Sequence, residues 1–167
     1  MFSNFAEFEI AALPFINQFS AWALAYRPHA KADHLCYKCA SSEVFGHIRA
    51  TLETESIYTY QSFIAGRRIA ILKLHQPFQT ALGTIAYIEL SDQKPDGSQR
   101  SHFDHIEIYP LSGTMDTLAA SLESAGIALE KTVRPHHTTY DMSLDHGFSV
   151  RIEPDPLIEK IMREEMA

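Results

Sequence analysis

The dipeptide Asp-His opens two strand-like segments of this chain, "DHLCYKC" from Asp33 and "DHIEIY" from Asp104. The order of elements after each pair also repeats, and that repetition constrains the fold more than any other feature. After the first pair come a strand ("HLCYKC"), a helix with serine caps and Glu43 in its first turn ("SSEVFGHIRATLETE"), two strands joined at Ala65-Gly66 ("SIYTYQSFI", "RRIAILKLH") and a fourth strand ("GTIAYIELS"). After the second come a strand ("HFDHIEIYP"), a helix that stops at Gly126 ("TMDTLAASLESAG"), two weaker strands ("LEKTVRP", "TTYDMSL") and a stronger one ("GFSVRIEP"). Solenoid repeats are shorter and more numerous. The pattern therefore predicts an α+β protein built from paired βαβββ modules.

The modules span residues 31–92 and 101–154, with the turn-rich "DQKPDGSQRS" between them. Before them, residues 1–30 carry apolar residues at helical spacing, interrupted at Pro14, and predict one or two amphipathic helices. After them, residues 155–167 predict a short C-terminal helix. A length of 167 residues favours one domain over the whole chain.

Composition narrows the function classes. The formal charge is −7 with no basic run, which argues against a surface that tracks phosphates, and so against nucleic acid as a partner. No stretch reaches the roughly 18 apolar residues of a membrane span, and the N-terminus lacks the basic and apolar regions of a secretory signal. A cytoplasmic protein, monomeric or homodimeric, is the expectation. Cys36 and Cys39 form a lone C-x-x-C, without the second pair a zinc knuckle needs. Strand alternation puts them on opposite faces, so they read as reduced structural thiols.

Alternation also sorts the strands by face. One face reads Leu35, Tyr37 and Cys39; Ala86, Ile88 and Leu90; Ile106 and Ile108; Phe148, Val150 and Ile152. That face can pack on helices. The other carries His34, Glu89, His105 and Glu153, with an Ile-Glu near the end of the last strand of each copy. A sheet with one polar face can simply face water, but His and Glu at matched positions in both copies favour a shared site. Two imidazoles and two carboxylates suit a divalent transition metal (zinc, iron, nickel or manganese) and are too nitrogen-rich for calcium or magnesium. Glu107 and Arg151 share this face as outer partners, or as a mutual surface ion pair. His75 closes a central strand and is a further candidate for the cavity. His102 is near enough to replace a ligand, and His29, His47, His136, His137 and His146 read as solvated.

The segments "ADHLCYKC", "GRRIAILKLHQP", "YIEL" and "FDHIEI", in this order and spacing, resemble the YecM family of bacterial proteins, for which metal binding is expected. The resemblance covers roughly residues 13 to 162. It implies the vicinal oxygen chelate fold of glyoxalase I and the extradiol dioxygenases, in which two βαβββ modules form a curved mixed sheet around a metal. It also implies ligands on the first and last strands of each module, here His34, Glu89, His105 and Glu153. A glyoxalase-like proton transfer on a small oxygen-rich substrate would use Glu89 or Glu153 as base. An oxygenase would need only His34, His105 and Glu153. The alternative is a non-catalytic protein that binds a metal or a small ligand.

Overall fold

The computed structural model describes residues 1–135 and 137–167. Its elements run α1 (Phe5–Tyr26), β1 (Ala30–Lys38), α2 (Ser42–Glu53), β2 (Ser56–Ile64), β3 (Arg67–Thr80), β4 (Gly83–Ser91), β5 (His102–Pro110), α3 (Met115–Ser124), β6 (Glu130–Val133), β7 (Thr138–Ser143), β8 (Ser149–Ile152) and α4 (Leu157–Met166). The eight strands form one curved, open mixed sheet in the order β2-β3-β4-β1-β5-β8-β7-β6. The first half reads 2-3-4-1 and the second, outward from the same seam, 5-8-7-6, so the two modules are related strand for strand. Within each module the first and last strands pair in parallel (β1 with β4, β5 with β8). The modules join through the antiparallel pair β1–β5.

The apolar face is buried as alternation requires. Leu35, Ile88, Leu90, Ile106, Ile108, Phe148, Val150 and Ile152 are all at most 1% exposed. Side-chain caps start the covering helices: Ser41 accepts from the Val44 N–H at α2, and Thr114 with Thr117 forms a reciprocal pair at α3. The largest cover comes from α1, a single helix that runs through Pro14. An interior proline costs about 3 kcal/mol, but α1 buries Phe8, Ile16, Phe19 and Trp22, each contributing roughly 1.5–3 kcal/mol. Packing therefore outweighs the break that the sequence suggests. Phe8 and Phe15 lie 5.2 and 5.0 Å from the ring of Phe103, and Phe15 is also 5.0 Å from Phe148, so α1 bridges strands of the second module. Among the described residues, no helix is long and apolar enough to cross a membrane.

The β2–β3 hairpin turns at Ala65 and Gly66, both at positive φ (51° and 78°). Two-residue hairpin turns favour this conformation because it matches strand twist, and Asn-Gly is its preferred sequence. Alanine is strained there, by about 1–2 kcal/mol. Ala65→Asn should raise stability by about 0.5–1 kcal/mol in urea unfolding. A destabilised variant would mean that the turn adopts another geometry.

Candidate metal centre

The two Asp-His pairs that open strands both sit at β-bulges, and this explains why those strands share the dipeptide; the third, Asp145-His146, lies in a short turn before β8. On a regular strand an Asp and the next-residue His point to opposite faces. Between Ala32 and Leu35, β1 advances three residues while β5 advances two, from Ile108 to Ile106. Between Cys36 and Tyr37 the excess is reversed, because β5 advances from His105 to Phe103 and Asp104 is the extra residue. A bulge sets two residues against one and re-aims their side chains. Each aspartate can then reach its own neighbour: Asp33 Oδ2 lies 2.8 Å from His34 Nδ1, and Asp104 Oδ2 lies 2.7 Å from His105 Nδ1. A carboxylate at Nδ1 holds a proton there and leaves Nε2 as the nitrogen turned toward the centre.

Those two Nε2 atoms are buried and have no hydrogen-bond partner among the described residues. The rings face each other across the module seam with centroids 5.9 Å apart. One cross-strand row carries Tyr60, Ile71, Glu89, Cys36, His105 and Ser149, which brings Glu89 beside both histidines. Glu89 Oε2 is 3.4 Å from His34 Nε2, close enough for attraction between charges but not aligned as a hydrogen bond. Ligating atoms of His34, Glu89 and His105 all lie within 4.8 Å of one another. Two ligands on a tetrahedral ion with arms of about 2.1 Å stand about 3.4 Å apart. The donor set and its spacing therefore fit a divalent transition metal.

Two further groups of ligating atoms occur, Cys36–Asp104–His105 and Asp33–His34–Glu107. Both are less free. Asp104 is already bonded to His105, to His102 Nε2 at 3.0 Å and to Lys38 Nζ at 2.7 Å. Asp33 Oδ2 serves His34 and also accepts from the Leu157 N–H at 3.0 Å. Burial first, and then the charge of Glu89, push the Cys36 thiol well above its ordinary range and so oppose a thiolate ligand.

The electrostatics of the cluster favour added positive charge. Burial is the strongest influence on His34 and would depress it, but Glu107, Asp33 and Glu89 outweigh it and hold the imidazole well above its ordinary value. Burial likewise opposes ionisation of Glu89, yet His34 and His105 keep it far below the usual carboxylate range. Burial pushes Glu107 up to about 8, with Glu153 and Glu89 adding to the effect and His34 opposing it. Carboxylates exceed cations here, and the cluster takes up protons in compensation.

The other expected residues have distinct surroundings. Glu153, just past β8, is buried, with Oε2 2.7 Å from Lys160 Nζ and Oε1 3.8 Å from His137 Nε2. It belongs to none of the three groups of ligating atoms found among the described residues. Strand register explains its position: Cys36 pairs with Glu89 in the first module, and its counterpart Glu107 pairs with Arg151 in the second. The counterpart of Glu89 is thus Arg151, two residues before Glu153, and the shared Ile-Glu dipeptide does not mark equivalent positions. Arg151 donates to Asp141 Oδ1 at 2.8 Å and does not form the expected ion pair with Glu107 among the described residues. Glu107 Oε2 instead lies 3.7 and 4.0 Å from Nε2 of His34 and His105, closer to the centre than an outer partner. His75, His29, His47, His137 and His146 are exposed, His102 is half-buried, and His136 lies outside the described residues.

Fold and cluster together define a class: paired βαβββ modules whose polar face encloses two imidazoles and several carboxylates. The model of the YecM family (YecM protein) matches residues 1–156, and the chain belongs to that family. A solved structure described as "Structural Genomics, Protein EC4020" is similar in fold, with a TM-score of 0.68 and 24% identity over 91% of this chain and 87% of that one. No curated protein matches the chain.

Proposed function

We propose that the protein binds one divalent transition metal ion (zinc, iron, nickel or manganese) through His34, Glu89 and His105, and acts on a small oxygen-bearing molecule as vicinal oxygen chelate proteins do. The observation that carries this reading is the pair of buried Nε2 atoms, one from each module, that lack partners and face the same carboxylates. A buried polar group without a partner costs free energy, so its persistence calls for a ligand. An ion held there would polarise a substrate oxygen and acidify bound water. Asp33 and Asp104 fix both imidazole tautomers, while Lys38 neutralises Asp104.

Proton transfer at such a centre falls to a carboxylate. Glu89 and Glu107 face the imidazoles directly. Glu153 can serve as base or as a further ligand once its pair with Lys160 opens. The second reading, metal or ligand binding without turnover, is favoured by one observation: His34 is fully buried. Free thiols at Cys36 and Cys39 suit a cytoplasmic setting under either reading.

Titration with Co²⁺ tests the assignment. One ion per chain should bind, with visible absorption from nitrogen and oxygen donors and no intense near-ultraviolet thiolate band. A thiolate band would move the ion to Cys36 and overturn the assignment. Asp104→Asn should weaken metal binding about 10–100-fold, as loss of an outer carboxylate typically does. Calorimetry that shows unchanged affinity would leave Asp104 serving Lys38 alone.

A further inference from the structure

The polar face of the first module is not open, because α4 lies across it. Leu157 and Ile161 pack on Tyr60 of β2, Ile69 and Ile71 of β3 and Tyr87 of β4, and Ile161 is only 4% exposed. These contacts form a cluster separate from the main core, on the opposite side of the sheet. Register ties them to the metal centre: Ile71 pairs with Glu89, and Tyr87 pairs with His34. Two polar links fasten the helix. The Leu157 N–H donates to Asp33 Oδ2 at 3.0 Å, on the oxygen that also holds His34 Nδ1. Lys160 Nζ donates to Glu153 Oε2 at 2.7 Å.

We propose that α4 is a releasable strap over the substrate-binding part of this face, and that the ligand displacing it bears an apolar group comparable to the Leu157 and Ile161 side chains. This rests on the metal centre proposed above for the ligand's polar end. The surface beneath the strap is aromatic and aliphatic, so it selects an apolar group once uncovered. Attachment is light for a closed element. The helix has ten residues, the capping residue before it, Pro156, offers no side-chain cap, and Ile161 is its sole buried side chain. Helices of this length are marginal without packing. One polar link ends on Asp33, which orients His34, and the other on Glu153, whose charge acts on Glu107, so release has local consequences. It frees Glu153 from Lys160 and, among the described residues, leaves His34 as the remaining partner of Asp33 Oδ2. The family match ends at residue 156, and α4 begins at the next residue.

Full-length Ile161→Asp and Lys160→Ala variants test this against Met162→Asp, a change on the exposed side of α4. Three quantities are read: amide exchange of α4, the rate of Co²⁺ uptake, and the fluorescence of anilinonaphthalene sulfonate as an apolar probe. In Ile161→Asp, α4 exchange and Co²⁺ uptake should each rise at least tenfold and the probe should bind, with exchange of β1 and β5 unchanged. Met162→Asp should match the parent. Ile161→Ala carries the same comparison if the charged variant loses its fold. Parent-like uptake and no probe binding in all variants would overturn the strap and leave the metal centre intact. Probe binding without Co²⁺ uptake by any form would keep the strap and remove the metal centre.

Discussion

His34→Ala and His105→Ala should each weaken zinc binding at least about 100-fold, or about 2.7 kcal/mol. Each change removes one of the two buried imidazole nitrogens that, among the described residues, are aimed into the centre without a partner. Among the described residues, the neighbouring histidines are engaged elsewhere. His102 is held between the Arg100 carbonyl oxygen at 2.8 Å and Asp104, and the exposed His137 lies beside Glu153. The two variants should differ in metal-free stability. His34 stands among Asp33, Glu89 and Glu107, and without it these carboxylates, two of them buried, repel one another. His105 is held below its ordinary value, by burial first, and its loss removes less positive charge. Calorimetric titration of both variants checks the affinity. A value within about twofold of the parent, under about half a kcal/mol, in either variant would take that histidine out of the ligand set.

Ile106→Ala should cost about 2–5 kcal/mol of stability and should also loosen the metal centre. Ile106 is fully buried, and it pairs with Leu35 at the seam between modules. That pair lies between the two bulges, one residue from His34 on β1 and one from His105 on β5. Truncation therefore leaves a cavity beneath the backbone that aims both imidazoles. Urea unfolding gives the first effect and zinc titration of the folded variant gives the second. A stability loss below about half a kcal/mol, as for surface substitutions, would contradict the assignment of faces. Unchanged zinc affinity would show that the bulges hold their geometry without this packing.

The duplicated architecture was legible because it rests on local signals. Strand alternation, the caps of α2 and α3 and the hairpin at Ala65-Gly66 each act over a few residues, and the second copy repeats the first. Pro14 left one helix or two open, because burial of residues distant in sequence decides whether α1 continues. That His34, His105 and Glu89 share a face could be read from alternation and repetition, and their ligating atoms do lie together. The roles of Asp33 and Asp104 could not, because alternation assigns an Asp and the adjacent His to opposite faces, and only the bulges reverse this. The repeated dipeptide was the available sign of those bulges. Glu107 and Arg151 share a face in the sequence, as outer partners of the centre or as a mutual ion pair, and alternation does not choose between these; the partner of Arg151, Asp141, comes from β7 through a pairing that the weak pattern of that strand does not announce. Matching the two Ile-Glu dipeptides shifted the last strands by two residues, which keeps the face and changes the row. For that reason Glu153 looked equivalent to Glu89, while register gives that place to Arg151. The hold of α4 on Glu153 and Asp33 depends on tertiary docking that no local pattern encodes.

The most direct test is diffraction from crystals grown with Zn²⁺, measured on both sides of the zinc absorption edge. One anomalous peak is expected about 2.1 Å from Nε2 of both His34 and His105, with a Glu89 oxygen as the third donor. A peak on Cys36 and Asp104, or no peak between the two imidazoles, would contradict a metal centre shared by the two modules.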